Sequence, residues 1–358
     1  MIGRGRKSPR TQQSFVFELT QRCNHDCLHC YNAWKNPVEY PAGELGTDET
    51  VAMLGKLIDE THCSLVSLSG GEPMLRPDVF EIVDFLGERG VAVNLITNGS
   101  LLDERAIERL GPEKISVFEL PLLSSERAVH DRLSGRAGAF DDVTMALADL
   151  KAAGQRVVCV FVATKLNLPT WRETAEVAIA LGADGIMFNR FNPGGRGGEN
   201  IELLQASPEE LAAALDTAQG LSEEYELPIS CSIAMPPCLF DHARYPKLGF
   251  GFCAAGTERA YYTVDPVGNV RPCNHSPTIL GNVRESGFRA LADLPAMADF
   301  MAARPSFCAG CRMEATCLGG CKAAAEACRG SAWECDPFLE AFGAQAVRPT
   351  SGPDAEGL

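Results

Sequence analysis

Six short apolar runs recur through the first part of the chain, at 15–20, 64–69, 91–97, 115–120, 156–163 and 185–190. Helix-like segments separate them, near 48–60, 77–88, 102–110, 140–152 and 170–181. Each run is rich in Val, Ile, Leu and Phe, the composition of strands buried on both faces of a parallel sheet. Successive strand–helix units imply right-handed crossovers and a parallel α/β sheet. Such a sheet either opens into a doubly wound fold or curls into part of a barrel. In both, chemistry gathers at the C-terminal ends of the strands.

The informative residues fall at those ends. Cys23, Cys27 and Cys30 follow the first run, and Gly70, Gly71, Glu72 and Pro73 follow the second. Thr97, Asn98 and Gly99 close the third, and Asn189 and Arg190 end the sixth. Gly-Gly and Asn-Gly are also ordinary turn sequences, but four such sites converge on one rim. Three thiolates on one loop can hold three irons of a cubane [4Fe–4S] cluster. The fourth iron is then open to a substrate or cofactor, as a catalytic metal position must be. The alternative is zinc, with His25 or His29 as fourth ligand. Zinc ligands usually come in pairs on two separate loops, which fits three cysteines on one loop less well.

Ser207, Pro208 and Glu210 form a capping box that opens an amphipathic helix over 208–224. Beyond it the cysteines become dense. Tyr261–Val264 and Asn269–Arg271 read as a hairpin around Asp265–Gly268, with Cys253 before it and Cys273 at its end. Cys308-x2-Cys311-x5-Cys317-x3-Cys321 follows, then Cys328 and Cys335. The expected division is 14–205, a bridging helix in 206–230, a cysteine-rich region at 231–345 and a flexible tail at 346–358. The cysteine-rich region has little apolar material for a core of its own, and metal clusters would supply the missing stability.

The formal net charge of −15 argues against nucleic acid or an anionic membrane surface as partner. The basic cluster Arg4, Arg6 and Lys7 lies in a polar lead-in and reads as a solvated tail. No stretch is apolar enough for a transmembrane helix, and the N-terminus lacks the apolar core of a signal peptide. A cytoplasmic location is therefore expected. Fifteen cysteines in that setting read as metal ligands rather than disulfides. Cys63 and Cys159, placed in predicted strands, and Cys231, in a similar apolar run, read as small core hydrophobes.

Taken together, Cys23-x3-Cys27-x2-Cys30 resembles the signature of radical S-adenosylmethionine (SAM) enzymes, and Gly70-Gly71-Glu72-Pro73 resembles their methionine-binding motif. Cys253-x14-Gly268-x4-Cys273 with the later cysteines is similar to the SPASM extension, which carries auxiliary clusters in peptide-modifying members. The resemblance spans about 14 to 340. It implies a partial (β/α)6 TIM-like barrel with a C-terminal cysteine-rich SPASM domain. It also implies a catalytic [4Fe–4S] cluster on Cys23, Cys27 and Cys30, two auxiliary [4Fe–4S] clusters, and S-adenosyl-L-methionine. Glu72 would hold the amino group of SAM. Asn98 and Asn189 stand where members contact the ribose and adenine. The family pattern gives Cys253, Cys273 and Cys321 to the first auxiliary cluster, and Cys308, Cys311 and Cys317 to the second. Some members supply another cysteine near Arg259; here either the first cluster keeps an open iron or Cys238 completes it. Cys335, or alternatively Cys328, closes the second. The segment His130–Gly135 resembles a family segment that often has arginine where Ser134 stands; Arg132 or Arg136 would take over carboxylate binding, or the segment is a simple helix end.

The function so implied is modification of a ribosomally made peptide, by cross-linking, oxidation or epimerisation, after hydrogen abstraction by a 5′-deoxyadenosyl radical. The alternatives are the same chemistry on a tetrapyrrole, sugar or other small metabolite, and a non-catalytic electron-transfer protein. Sulfatase-maturing members carry a catalytic aspartate after the cysteine equivalent to Cys273. Asn274 stands there, and an amide cannot act as general base, which disfavours formylglycine formation. A flavodoxin- or ferredoxin-type reductant is expected as partner. No long N-terminal extension is available to bind a leader peptide, so a separate binding protein or a direct groove would do so.

Overall fold

A computed structural model describes residues 14–35, 40–257 and 260–341. The predicted alternation is present: β1 (Ser14–Thr20), α1 (Thr47–Thr61), β2 (Leu65–Gly70), α2 (Val79–Glu88), β3 (Ala92–Ile96), α3 (Glu104–Lys114), β4 (Val117–Pro121), α4 (Arg127–Ser134), α5 (Ala139–Ala152), β5 (Val157–Ala163), α6 (Trp171–Ala180) and β6 (Gly185–Arg190). Next come α7 (Ile201–Leu204), α8 (Pro208–Tyr225), β7 (Ile229–Cys231), β8 (Leu248–Phe250), β9 (Tyr261–Val264), β10 (Asn269–Arg271) and β11 (Gly281–Asn282). Five short helices follow: α9 (Phe288–Ala292), α10 (Pro295–Ala302), α11 (Glu314–Cys317), α12 (Lys322–Arg329) and α13 (Pro337–Ala341). Among the described residues no helix is long and apolar enough to cross a membrane.

These strands form one sheet in the order β11-β10-β9-β1-β2-β3-β4-β5-β6-β7-β8. Pairing is parallel from β9 through β1 to β8 and antiparallel in β9–β10–β11. Seven strand spacings separate β10 from β6, about 33 Å in a flat sheet. Yet Asn192, just past β6, lies 3.1 Å from His275, just past β10. The sheet is therefore curled into a barrel, left incomplete among the described residues because β8 and β11 end it without pairing to each other.

Along β1, Phe15, Phe17 and Leu19 pack into the apolar core, whereas Glu18 on the other face meets Arg271. The predicted capping box forms at α8. Ser207 N donates to Glu210 Oε2 at 2.7 Å, and Glu210 N donates to Ser207 Oγ at 3.2 Å. The hairpin predicted over 261–271 also forms, but it is not self-standing: Phe17 is in register with Val264 on the free edge of β1. Phe288 of α9 packs edge-on against both Phe15 and Tyr262, each at 5.0 Å. The cysteine-rich region thus shares the barrel's core, which offsets its shortage of apolar residues. Cys159 lies in β5 and Cys231 in β7, both buried. Cys63 is buried too, but in the link between α1 and β2 rather than in a strand.

Candidate functional site

The cysteine loop leaves the end of β1 and is clamped from two sides. Asp26 N and Leu28 N donate to Ser134 O and Leu133 O at the end of α4, at 3.2 and 2.9 Å. Gly135 caps that helix at φ +64°, and a Cβ on it would meet Asp26 O at 2.1 Å. Across the loop, Gly197 N donates to Cys30 O at 2.9 Å, and a Cβ on Gly195 would meet Asn32 O at 2.4 Å. The segment His130–Gly135 is therefore a helix end that seats the loop; Arg136 pairs with Asp142 at 3.2 Å and Arg132 is exposed. The Gly-rich turn at 194–198 escaped sequence reading, although its position directly after strand six was a usable signal.

The second rim motif presses on the same loop. Gly71 N donates to Thr20 O at 2.7 Å and Glu72 N to Arg22 O at 2.8 Å. A Cβ on Gly71 would lie 2.0 Å from Arg22 O, so only glycine fits there. Pro73 follows as the first residue of a short 3-10 turn. Glu72 is fully buried. Its Oε1 accepts from Thr97 Oγ1 at 2.7 Å and Met74 N at 3.0 Å, and its Oε2 from Asn98 N at 2.8 Å. Burial raises its carboxyl pKa above the usual value, and the three donors only partly offset that. Asn98 Nδ2 donates to Asn24 Oδ1 at 2.8 Å, which ties the end of β3 to the cysteine loop. Asn189 is held from β7 instead; its Oδ1 accepts from Ser232 N at 2.8 Å.

Burial first, then the charges of Cys30 and Cys23, raises Cys27 strongly; burial, with Cys23 and Asp26 adding to it, raises Cys30 to about 11. Cys23 is raised as well, chiefly by burial. A trio of free, half-buried thiols whose charges bear on one another suits an iron cluster, which takes all three as thiolates and neutralises them. The zinc alternative fits less well. The charges bearing on His25 come from Arg136, Asp142 and Asp131, and His130 feels both His25 and His29, so the two imidazoles lie toward α4. Among the described residues no three His, Cys, Asp or Glu side chains gather around a single ion. A cubane does not ask that of its ligands, because each thiolate binds its own iron corner.

Two further thiol groups lie beside the barrel. Cys253, Cys273 and Cys321 wall one cavity together with Tyr261, His275 and Lys322. Burial and the other thiols push Cys273 up to about 12. Lys322 Nζ, buried beside them, donates to Met301 O at 2.6 Å and is lowered by burial to about 8. Cys308, Cys311 and Cys317 form the other group; burial and the two companion thiols push Cys308 up to about 11. Burial and then Asp336 raise both Cys335 and Cys328; Cys335 also feels Glu340, Cys308 and Cys238, whereas Cys328 feels Arg329. Cys238, considered above as a ligand of the first group, does not wall that cavity; its charged neighbours are Cys317, Cys308 and Cys311. Sequence spacing carries no information on which side of α13 the 236–240 turn falls. Arg259 lies outside the described residues.

Three features of the lumen were not foreseen. Tyr31, next to Cys30, accepts a hydrogen bond from Asn274 Nδ2 at 3.0 Å. Glu18 is raised by burial to about 7 despite its buried pair with Arg271. Glu119 on β4 is raised to about 7 by burial, and among the described residues its carboxylate has no hydrogen-bonding or ionic partner.

Residues 17–178 match the family model for the radical SAM superfamily, and 253–312 match that of the SPASM iron–sulfur cluster-binding domain. The AdoMet-dependent heme synthase of Methanosarcina barkeri is 30% identical over 347 residues, 90% of this chain and 95% of that protein. The PqqA peptide cyclase of Methylocella silvestris is 29% identical over 338 residues, 89% of this chain and 85% of that protein. Streptococcus suis SuiB bound to precursor peptide SuiA shares the fold, with a TM-score of 0.69 at 17% identity over 88% of this chain and 72% of that one.

Proposed function

This chain belongs to the radical SAM superfamily and carries a SPASM iron–sulfur cluster-binding domain, and from that premise we propose that it modifies a ribosomally made peptide. It is an enzyme that uses SAM, a [4Fe–4S] cluster and auxiliary iron–sulfur clusters. When bound, the catalytic cluster and SAM supply a one-electron cleavage that yields a 5′-deoxyadenosyl radical able to take hydrogen from substrate.

In this reading Cys23, Cys27 and Cys30 hold the catalytic cluster. Gly70, Gly71 and Pro73 shape the turn that brings Glu72 to the SAM amino group. Asn98 and Asn189 orient the nucleoside. Cys253, Cys273 and Cys321 serve the first auxiliary site, with Cys308, Cys311 and Cys317 at the second. Positioning is the protein's task, and Glu72 is suited to it: a dehydrated carboxylate held by three donors cannot swing away from the group it binds. A flavodoxin- or ferredoxin-type reductant and a separate leader-binding protein belong to the same proposal.

The observation that carries the peptide reading is the charge of the lumen. Glu119 places an unpaired carboxylate there, while Arg190 and Arg271 are already neutralised by Asp336 and Glu18. That setting suits an amide or a cationic side chain better than a substrate bearing several carboxylates. The second reading is a carboxylated tetrapyrrole, favoured by the 30% identity to a heme synthase.

Reconstituted enzyme should be incubated without oxygen with reductant, SAM and either candidate precursor peptides or tetrapyrroles. Mass spectrometry should show 5′-deoxyadenosine together with a peptide lighter by two hydrogens, or one whose mass is unchanged in ordinary water and rises by deuterium uptake in heavy water. Turnover of tetrapyrrole alone refutes the peptide reading.

A further inference from the structure

The register of β3–β6 sets which side chains face the lumen. Phe118 and Leu120 of β4 pack into the core shared with the helices, so Val117, Glu119 and Pro121 turn inward. Glu119 stands between Ile96 of β3 and Val158 of β5, and Gly185 of β6 completes that row. Val160 and Met187 belong to the next row toward the rim. Ile96, Val158, Val160 and Met187 are only half-buried, as is Glu119 itself. Among the described residues no other charged side chain lies on this face from β3 to β6. The lumen wall is therefore an accessible apolar strip with one carboxylate at its inner end.

Its place is tied to the rim. Thr97 N donates to Glu119 O at 3.2 Å, and the same Thr97 holds Glu72 through its Oγ1 at 2.7 Å. Glu119 is thus one strand over from the anchor of Glu72, facing the lumen. Its row offers the carboxylate no donor: Ile96 and Val158 are apolar and Gly185 brings no side chain. Partial dehydration without a donor is costly, and burial raises the carboxyl to about 7. A cation that arrives on an apolar stem satisfies both parts of this wall. Lysine and arginine lay their methylenes along apolar surface and carry the charge at the tip. Two residues along a strand span about 7 Å, so a stem resting on Val160 and Met187 ends at Glu119.

We propose that Glu119 and the strip of Val158, Val160 and Met187 form a subsite for a lysine or arginine side chain of the substrate, with Glu119 as a specificity-determining residue. The proposal rests on the peptide reading given above and names the kind of side chain that the peptide carries.

The first test needs no known substrate. Reconstituted enzyme is treated near neutral pH with a water-soluble carbodiimide and either Nα-acetyl-lysine methylamide or methylamine at equal concentration, and adducts are mapped by peptide mass spectrometry. The reagent activates a carboxyl, the amine displaces it to form an amide, and the reagent leaves as its urea. Glu119 should couple to the lysine derivative at least about fivefold better than to methylamine, the scale of a few buried methylenes. Exposed Glu209 should discriminate less than about twofold. Equal coupling at Glu119, or none with either amine, overturns the proposal. The second arm uses a peptide that the enzyme modifies. Norleucine in place of its lysine or arginine nearest the altered residue should lower kcat/KM about tenfold or more in wild type, and less than about twofold in Glu119→Gln. Equal losses in both enzymes, or a modified peptide with neither residue, sink the subsite and leave the peptide reading standing. A Glu119→Gln variant whose SAM affinity falls about tenfold puts the carboxylate on the cofactor and also overturns the proposal. Turnover of tetrapyrrole and of no peptide sinks both readings.

Discussion

Tyr31 and His275 lie ring against ring, centroids 3.9 Å apart and planes tilted by 30°. Tyr31 follows Cys30 directly, and His275 stands two residues past Cys273. The aromatic pair therefore joins the Cys23–Cys30 loop to the cavity walled by Cys253, Cys273 and Cys321, and Asn192 binds both His275 and Cys321 Sγ, at 3.1 and 3.4 Å. The two thiol trios are parts of one packed unit.

Cys27→Ala removes one thiol of the trio proposed to hold the catalytic cluster. Iron content should fall by about four per chain, and 5′-deoxyadenosine formation should vanish while the auxiliary signals persist. Nucleoside formation by the variant under strong reductant would show that the catalytic loop is misassigned.

Glu72→Ala leaves Thr97 Oγ1, Met74 N and Asn98 N without their acceptor. SAM affinity should drop at least about tenfold, the scale of one lost charged hydrogen bond of about 1.5–3 kcal/mol. Calorimetric titration of cluster-loaded protein measures it, and iron content should stay within error of wild type. Parallel loss of iron and affinity would make Glu72 a structural residue.

Glu119 titrates near 7 in the fold and near 4.5 when exposed, so the native state keeps the proton longer. Its contribution to stability declines as pH climbs from about 4.5 to 7 and is level above that. Glu119→Gln removes the decline. Denaturant midpoints should favour the variant over wild type by about 1–3 kcal/mol more at pH 8 than at pH 4.5. A pH-independent difference contradicts the burial of this carboxylate.

Arg190→Met strands Asp336, which the arginine meets at 2.5 Å with both side chains buried. Removing one partner of such a pair costs about 3–5 kcal/mol. Because Asp336 also accepts from Cys321 N, the variant should load the first auxiliary cluster poorly. Urea unfolding and iron analysis measure both effects; a loss under about 1 kcal/mol refutes the prediction.

The strand–helix alternation, the capped helix after residue 207 and the hairpin after Cys253 were legible because each rests on local signals: apolar runs, a capping box, a glycine turn. The rim motifs were equally plain, since glycines that leave no room for a Cβ sit beside the residues they serve. What stayed hidden depends on closure of the sheet. Arg190 and Arg271 look like ordinary strand ends until Asp336 and Glu18 arrive from distant segments. Glu119 reads as one polar residue in an apolar strand, and only the curl turns it toward Tyr31. Cys238 precedes every SPASM cysteine, and its neighbours are set by the packing of Phe240 on Phe338.

The parallel pairing of β9 with β1 has a consequence for electron flow. The strand that delivers Cys23 and the hairpin that delivers Cys273 are laced into one ladder, Ser14 opposite Tyr261 through Phe17 opposite Val264. If Cys23 and Cys273 hold clusters as proposed, this ladder would set the tunnelling distance between them by main-chain geometry. Surface substitutions can retune a potential, but the gap an electron must cross is as stiff as the sheet itself.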